Sequence, residues 1–106
     1  MICVVFYQRR SEPCGFRVTG HAGYDEYGKD IVCAAVTSAV QLTANGITEC
    51  IKQPADVQIE ENTVFFQLPK SCSDPCAVSM LNALELHMKV LAQEYPENLK
   101  VTYLEV

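Results

Sequence analysis

The sequence predicts an α+β domain, two layers in which a largely antiparallel sheet carries two helices, the first of them buried. Three observations predict it. Short β-branched and aromatic runs lie at both ends and in the middle of the chain. Two longer segments repeat apolar residues at helical spacing. Polar turns rich in Gly, Pro, Asn and Asp separate them. The resulting order is strand, strand, helix, strand, strand, helix, strand. The 106 residues fit one domain, spanning 1–106.

Residues 2–7 (ICVVFY) read as a strand, and residues 8–15 as a polar turn holding Pro13 and Gly15. Residues 16–19 (FRVT) alternate apolar and polar, so they form a strand with one wet face, paired to the first as a hairpin. Residues 20–29 contain Gly20, Gly23 and Gly28 and show no period, which predicts a flexible loop. Asp30 then caps a helix over residues 31–44, and Asn45-Gly46 is its expected stop. This helix is apolar on nearly every side, which predicts burial all round. Residues 57–59 and 63–68 flank Glu60-Glu61-Asn62 as a second hairpin. Asp74 and Pro75 open the second helix. Val78, Leu81, Leu84, Met88, Leu91 and Tyr95 form its buried stripe, and Pro96 ends it. Residues 99–106 alternate again as the last strand.

A net charge of −5 argues against direct nucleic-acid binding, which needs a basic face. No stretch approaches the roughly 20 apolar residues of a membrane helix. The start of the chain lacks the features of an export signal. A cytoplasmic protein is therefore expected, with its six cysteines reduced. Cys3, Cys33 and Cys50 sit in apolar runs and read as small residues that tolerate burial.

The chemistry concentrates in the run from Gly20-His21-Ala22 to Asp30-Ile31-Val32-Cys33. With Asp30 as cap, Cys33 falls in the first turn, near unpaired N–H groups and the positive helix end. Both favour a thiolate nucleophile, and the same N–H groups suit an oxyanion. His21, on the loop leading into the helix, is placed to take and return the thiol proton. Asp30 has two open roles, helix cap or orienting third member of a triad; its charge beside Cys33 would oppose the thiolate. Thr37 lies one turn below, where its hydroxyl can bond the Cys33 carbonyl as a supporting contact. Spacing alone leaves the plain alternative open: a small buried cysteine and a solvated histidine.

These residues resemble the ribosomal-processing cysteine proteases, called Prp, and the likeness extends over essentially the whole chain. Thr37 departs from the pattern, where serine is common, but keeps the hydroxyl. The resemblance implies a homodimer. It also implies cleavage of the N-terminal extension of a bacterial large-subunit ribosomal protein, number twenty-seven. Its Gly-His-Ala and Asp-x-x-Cys motifs make His21 and Cys33 a catalytic dyad. The loop carrying Gly20, Ala22, Gly23, Tyr24, Tyr27 and Gly28 is then the substrate loop, with Tyr24 and Tyr27 facing an apolar extension.

Other clusters carry less. Cys72 and Cys76 frame the start of the second helix, but His87 lies about 16 Å further along it, so the three do not form a zinc site. His87 reads as a partly exposed helical residue, and Asp25, Glu26 and Lys29 as solvated charges. No metal or cofactor is expected. The rival to a protease is a ribosome-assembly module that captures the same extension without cutting it. A thiol redox enzyme comes third, lacking a Cys-x-x-Cys pair.

Overall fold

The computed structural model describes residues 1–26, 30–72 and 74–106. Five strands and two helices follow the predicted order: β1 (Ile2–Arg9), β2 (Glu12–Thr19), α1 (Ile31–Asn45), β3 (Asp56–Glu60), β4 (Thr63–Gln67), α2 (Pro75–Glu94) and β5 (Leu99–Glu105). The strands form one sheet in the order β3-β4-β2-β1-β5. All neighbours pair antiparallel except β1 and β5, which run parallel. The architecture is therefore the α+β class expected.

The first hairpin is longer and tighter than its sequence suggests. Only Arg10 and Ser11 turn the chain, both with positive φ (55° and 66°). That is the twist a two-residue hairpin turn requires. Pro13 to Gly15, expected as turn, belong to β2 instead. Gly15 is there for contact: a Cβ on it would lie 2.3 Å from the Phe66 carbonyl oxygen.

One face of the sheet is the core. Phe6, Phe16 and Phe66 stand in register on three neighbouring strands, and all three are fully buried. Phe16 and Phe66 stack at 5.2 Å with rings 6° apart, and Phe6 tilts against Phe16 at 6.4 Å. Burying each such ring contributes about 2 kcal/mol from apolar area. Val32, Val36 and Val40 of α1 and Leu81, Leu84 and Met88 of α2 close the same core.

Two expectations about α1 are corrected. It is not buried all round: Ile31 is 56% exposed and Leu42 70%. The many alanines mask a one-sided helix, because the large side chains on its outer face have no layer above them. Gly46 does not stop it either. Gly46 keeps helical φ (−59°), and the chain continues through a π turn, Gly46–Cys50. A Cβ on Gly46 would sit 3.1 Å from Met80 Cε, so this glycine serves the close approach to α2. The stop comes at Lys52, in the left-handed region at φ 65°, with Gln53 N–H donating to the Ile47 carbonyl.

The continuous helical run Ile31–Cys50 is consequently long and apolar enough by length and composition to cross a membrane, contrary to the reading of the sequence. Its buried stripe, Val32, Val36, Val40, Thr43 and Ile47, packs into the domain core. All six cysteines are free; Cys3 and Cys33 are half-buried, but Cys50 is exposed rather than buried.

Candidate active site

The site begins with the cap of α1. Asp30 is buried, at 8% exposure, and its backbone is extended, as an N-cap requires. Oδ1 accepts the N–H groups of Val32 and Cys33, both at 3.0 Å. Oδ2 accepts those of Tyr24 at 3.0 Å and Asp25 at 3.4 Å. One carboxylate thus starts the helix and ties the preceding loop to it. Burial works to raise the Asp30 pKa. The N–H groups of Cys33, Tyr24, Asp25 and Val32 outweigh it and hold the group below its ordinary 3.8.

That arrangement changes the expected chemistry of the helix start. The Val32 and Cys33 N–H groups are already bonded to Asp30, and Ala34 N–H donates to the Asp30 carbonyl. The Cys33 N–H is therefore not free for the oxyanion role expected of it. A different donor reaches the thiol: Ala22 N–H lies 3.2 Å from Cys33 Sγ. This contact fixes the sulfur against the loop backbone. It also brings the loop, one residue after His21, directly onto Cys33.

The described part of the loop is not loose, as its glycines suggested. Gly20 N–H donates to the Asn62 carbonyl at 3.1 Å. Ala22 is 2% exposed, and its carbonyl accepts from Asn98 Nδ2 at 3.0 Å. Tyr24 meets Tyr95 edge to face, 5.5 Å between ring centroids. Gly20 and Gly23 both have positive φ, 87° and 68°, which glycine adopts without strain. Tyr27, Gly28 and Lys29, expected in the substrate loop or its solvated rim, lie outside the described residues.

An open cleft of about 710 Å³ brings the predicted residues together. Gly20, His21, Gly23, Asp30, Cys33 and Thr37 all line it. His21 is exposed at its mouth and Cys33 half-buried in its wall. Thr37 lines the cleft, but the expected bond from its hydroxyl to the Cys33 carbonyl is not formed. Among the described residues, Thr43 and Thr48 make that type of bond on this helical run, to Ala39 and Ala44. Tyr24, packed on Tyr95, is not among the residues lining the cleft, although half its surface is exposed.

Sequence reasoning missed the rest of the lining. Gln41 from α1 and Glu60, Asn62, Thr63 and Val64 from the β3–β4 hairpin line the cleft with His21 and Cys33. It also missed Asn98, a lone asparagine in the turn before β5. Only the fold brings these segments together, and no local pattern marks them. Among the described residues, no group of His, Cys, Asp or Glu is arranged to hold a metal. Cys72 Sγ lies 3.5 Å from Gln53 Oε1, while Cys76 and His87 are exposed.

A half-buried cysteine and a histidine on one cleft, the thiol held by a backbone N–H, describe a site of the thiol-hydrolase class. Residues 1–100 match the family described as cysteine protease Prp. The chain belongs to that family and is a cysteine protease of the ribosomal-processing kind. It is 28% identical to the ribosomal processing cysteine protease Prp of Bacillus subtilis over 102 residues, 89% of this chain and 91% of that protein. The fold superposes with a TM-score of 0.90 on Prp from S. aureus in complex with a covalently linked product peptide. That pair is 23% identical and covers 98% of this chain and all of the other. A Streptococcus mutans protein gives 0.87 at 28% identity, covering 100% of this chain and 96% of that one.

Proposed function

We propose that this protein removes the N-terminal extension of large-subunit ribosomal protein number twenty-seven, with Cys33 as nucleophile and His21 as proton carrier. It acts as a homodimer in the cytoplasm, where ribosomal subunits are assembled. The observation that carries the reading is the Ala22 N–H on Cys33 Sγ, in the wall of the cleft that His21 also lines.

In this mechanism Cys33 Sγ attacks the scissile carbonyl carbon while its proton passes to His21. The C–N bond then breaks, and His21 gives the proton to the leaving amine. The extension remains as a thioester on Cys33. Water, deprotonated by His21, attacks that thioester and releases the free carboxylate and the thiol. Asp30 serves as cap and loop anchor, its oxygens already occupied by four backbone donors. The apolar cleft residues Ile2, Val18, Val36 and Val64 suit an apolar, aromatic stretch beside the cut.

The test is incubation with a peptide copying the extension and its first mature residues. Wild type is expected to release two fragments and Cys33→Ala none. Cleavage by Cys33→Ala at the wild-type rate would sink the assignment. A captured but uncut peptide would instead favour the ribosome-assembly module. Dimerisation is supported by the exposed apolar residues Ile31 and Leu42 on α1. Light scattering at micromolar concentration is expected to give twice the chain mass, and a monomer mass would refute it.

A further inference from the structure

We infer that Asn98 is a positioning residue for the Cys33 thiol, acting through the backbone of Ala22; the inference rests on Cys33 being the nucleophile. Ala22 is bonded at both of its polar backbone atoms. Its N–H donates to Cys33 Sγ at 3.2 Å, and its carbonyl accepts from Asn98 Nδ2 at 3.0 Å. Its side chain is buried at 2% exposure. Turning the His21–Ala22 peptide away from sulfur therefore disturbs a packed methyl group and a second hydrogen bond together.

Asn98 is itself fixed. Its N–H donates to the Tyr95 carbonyl at 3.0 Å, and its carbonyl accepts from Ile2 N–H at 2.9 Å. The second of these ties the turn to the start of β1, whose Ile2, Val4 and Phe6 are buried in the core. The same turn region grips the loop again through Tyr95 on Tyr24. The two grips differ in what they reach. Tyr95 holds the loop beyond the thiol by packing, whereas Asn98 holds the one residue whose N–H touches sulfur.

The chemistry follows from that link. A backbone N–H held at sulfur keeps the nucleophile in place before substrate arrives, so no reorganisation is needed at the moment of attack. The same peptide plane carries the His21 carbonyl, so its orientation also sets where the His21 side chain leaves the backbone. Asn is suited to the position because its amide donates. Asp at the same length places a carboxylate oxygen against the Ala22 carbonyl, acceptor against acceptor.

The experiment compares wild type, Asn98→Asp, Asn98→Ala and Tyr95→Leu by iodoacetamide labelling across pH, read by peptide mass spectrometry. Exposed Cys50 and Cys76 serve as internal rate standards, and buried Cys14 reports unfolding by becoming reactive. Both Asn98 variants are expected to label Cys33 about tenfold more slowly at neutral pH, with the profile moved to higher pH. Their kcat should fall by a similar factor with KM little changed. Tyr95→Leu should leave the Cys33 profile at wild-type values. Wild-type Cys33 labelling in an Asn98 variant with unreactive Cys14 overturns the inference. So does slowing by Tyr95→Leu equal to that by Asn98→Asp, which would mark general loop support. Active Cys33→Ala would instead overturn the nucleophile assignment on which the inference stands.

Discussion

Asp30 Oδ2 accepts the Tyr24 N–H at 3.0 Å while Oδ1 of the same carboxylate caps α1 through Val32 and Cys33. The helix that carries the thiol and the loop that carries His21 are thus joined through one side chain. Substitution can separate the two halves. The Asn98 side chain bonds only the loop, but the Asp30 side chain bonds both.

In Asp30→Asn the amide oxygen can keep the cap, whereas its NH2 faces the N–H groups of Tyr24 and Asp25, donor against donor. The helix should survive and the loop should lose its anchor. We expect a small fall in Tm and a loss of peptide cleavage of about tenfold or more. Asp30→Ala removes both functions and should lower Tm clearly further. Thermal melts beside cleavage rates check the split. Equal melting of the two variants would mean that the cap and the anchor are not separable.

Asp30 also predicts an acid response. Its folded-state pKa lies below its ordinary 3.8, so the folded protein binds this proton more weakly than the unfolded chain does. The stability it contributes is complete above about pH 5 and is lost as pH falls through the ordinary value towards the folded one. Subtracting the Tm of Asp30→Asn from that of wild type removes the other carboxylates. The difference should be flat from neutral pH to about pH 5 and should shrink below pH 4. A difference that grows in acid would contradict the sign.

Two glycines of the loop separate conformational from steric cost. Gly20 has φ 87°, and a Cβ there would lie 2.4 Å from the Met1 carbonyl oxygen. Gly23 has φ 68° but open space around it. Gly23→Ala should cost about 1 kcal/mol, the ordinary penalty of left-handed backbone. Gly20→Ala adds displacement of the β1 start and should cost about 3 kcal/mol or more. Urea denaturation of both variants checks the order, and equal losses would mean that the Met1 backbone yields freely.

Legibility in the sequence followed the range of the interactions. The Asp30 cap, the α2 stripe and the two hairpins were readable because each is set by residues a few positions apart. The outer face of α1 was not readable. Ile31 and Leu42 look like core residues until the fold shows that no layer covers them. The close approach to α2 that Gly46 permits is to Met80, thirty-four positions away in the chain. Local spacing singles out His21 and Cys33, and both line the cleft, yet the donor that reaches the thiol is the Ala22 N–H rather than one from the helix start. Cap and oxyanion donors were counted from the same helix start, and the cap had already taken them. Asn98 meets Ala22 across 76 positions, a contact that only the folded sheet creates.

The hairpin wall of the cleft gives the last prediction. Val64 is half-buried on β4, in register with Val18 on β2, and both line the cleft with Cys33. Neither has a polar side-chain group to offer the reaction, so their effect is on binding. Val64→Trp fills part of the cleft from its hairpin side. Val64→Trp should raise KM for the extension peptide by about tenfold or more, because excluding one large apolar side chain from such a pocket costs that much. Labelling of Cys33 by iodoacetamide, a reagent too small to need the hairpin wall, should stay at the wild-type rate. Val64→Ala, which enlarges the cleft, should change KM far less than Trp does. Slowed labelling in Val64→Trp would show that the hairpin wall and the thiol are mechanically coupled. Unchanged KM in that variant would place the substrate outside this wall.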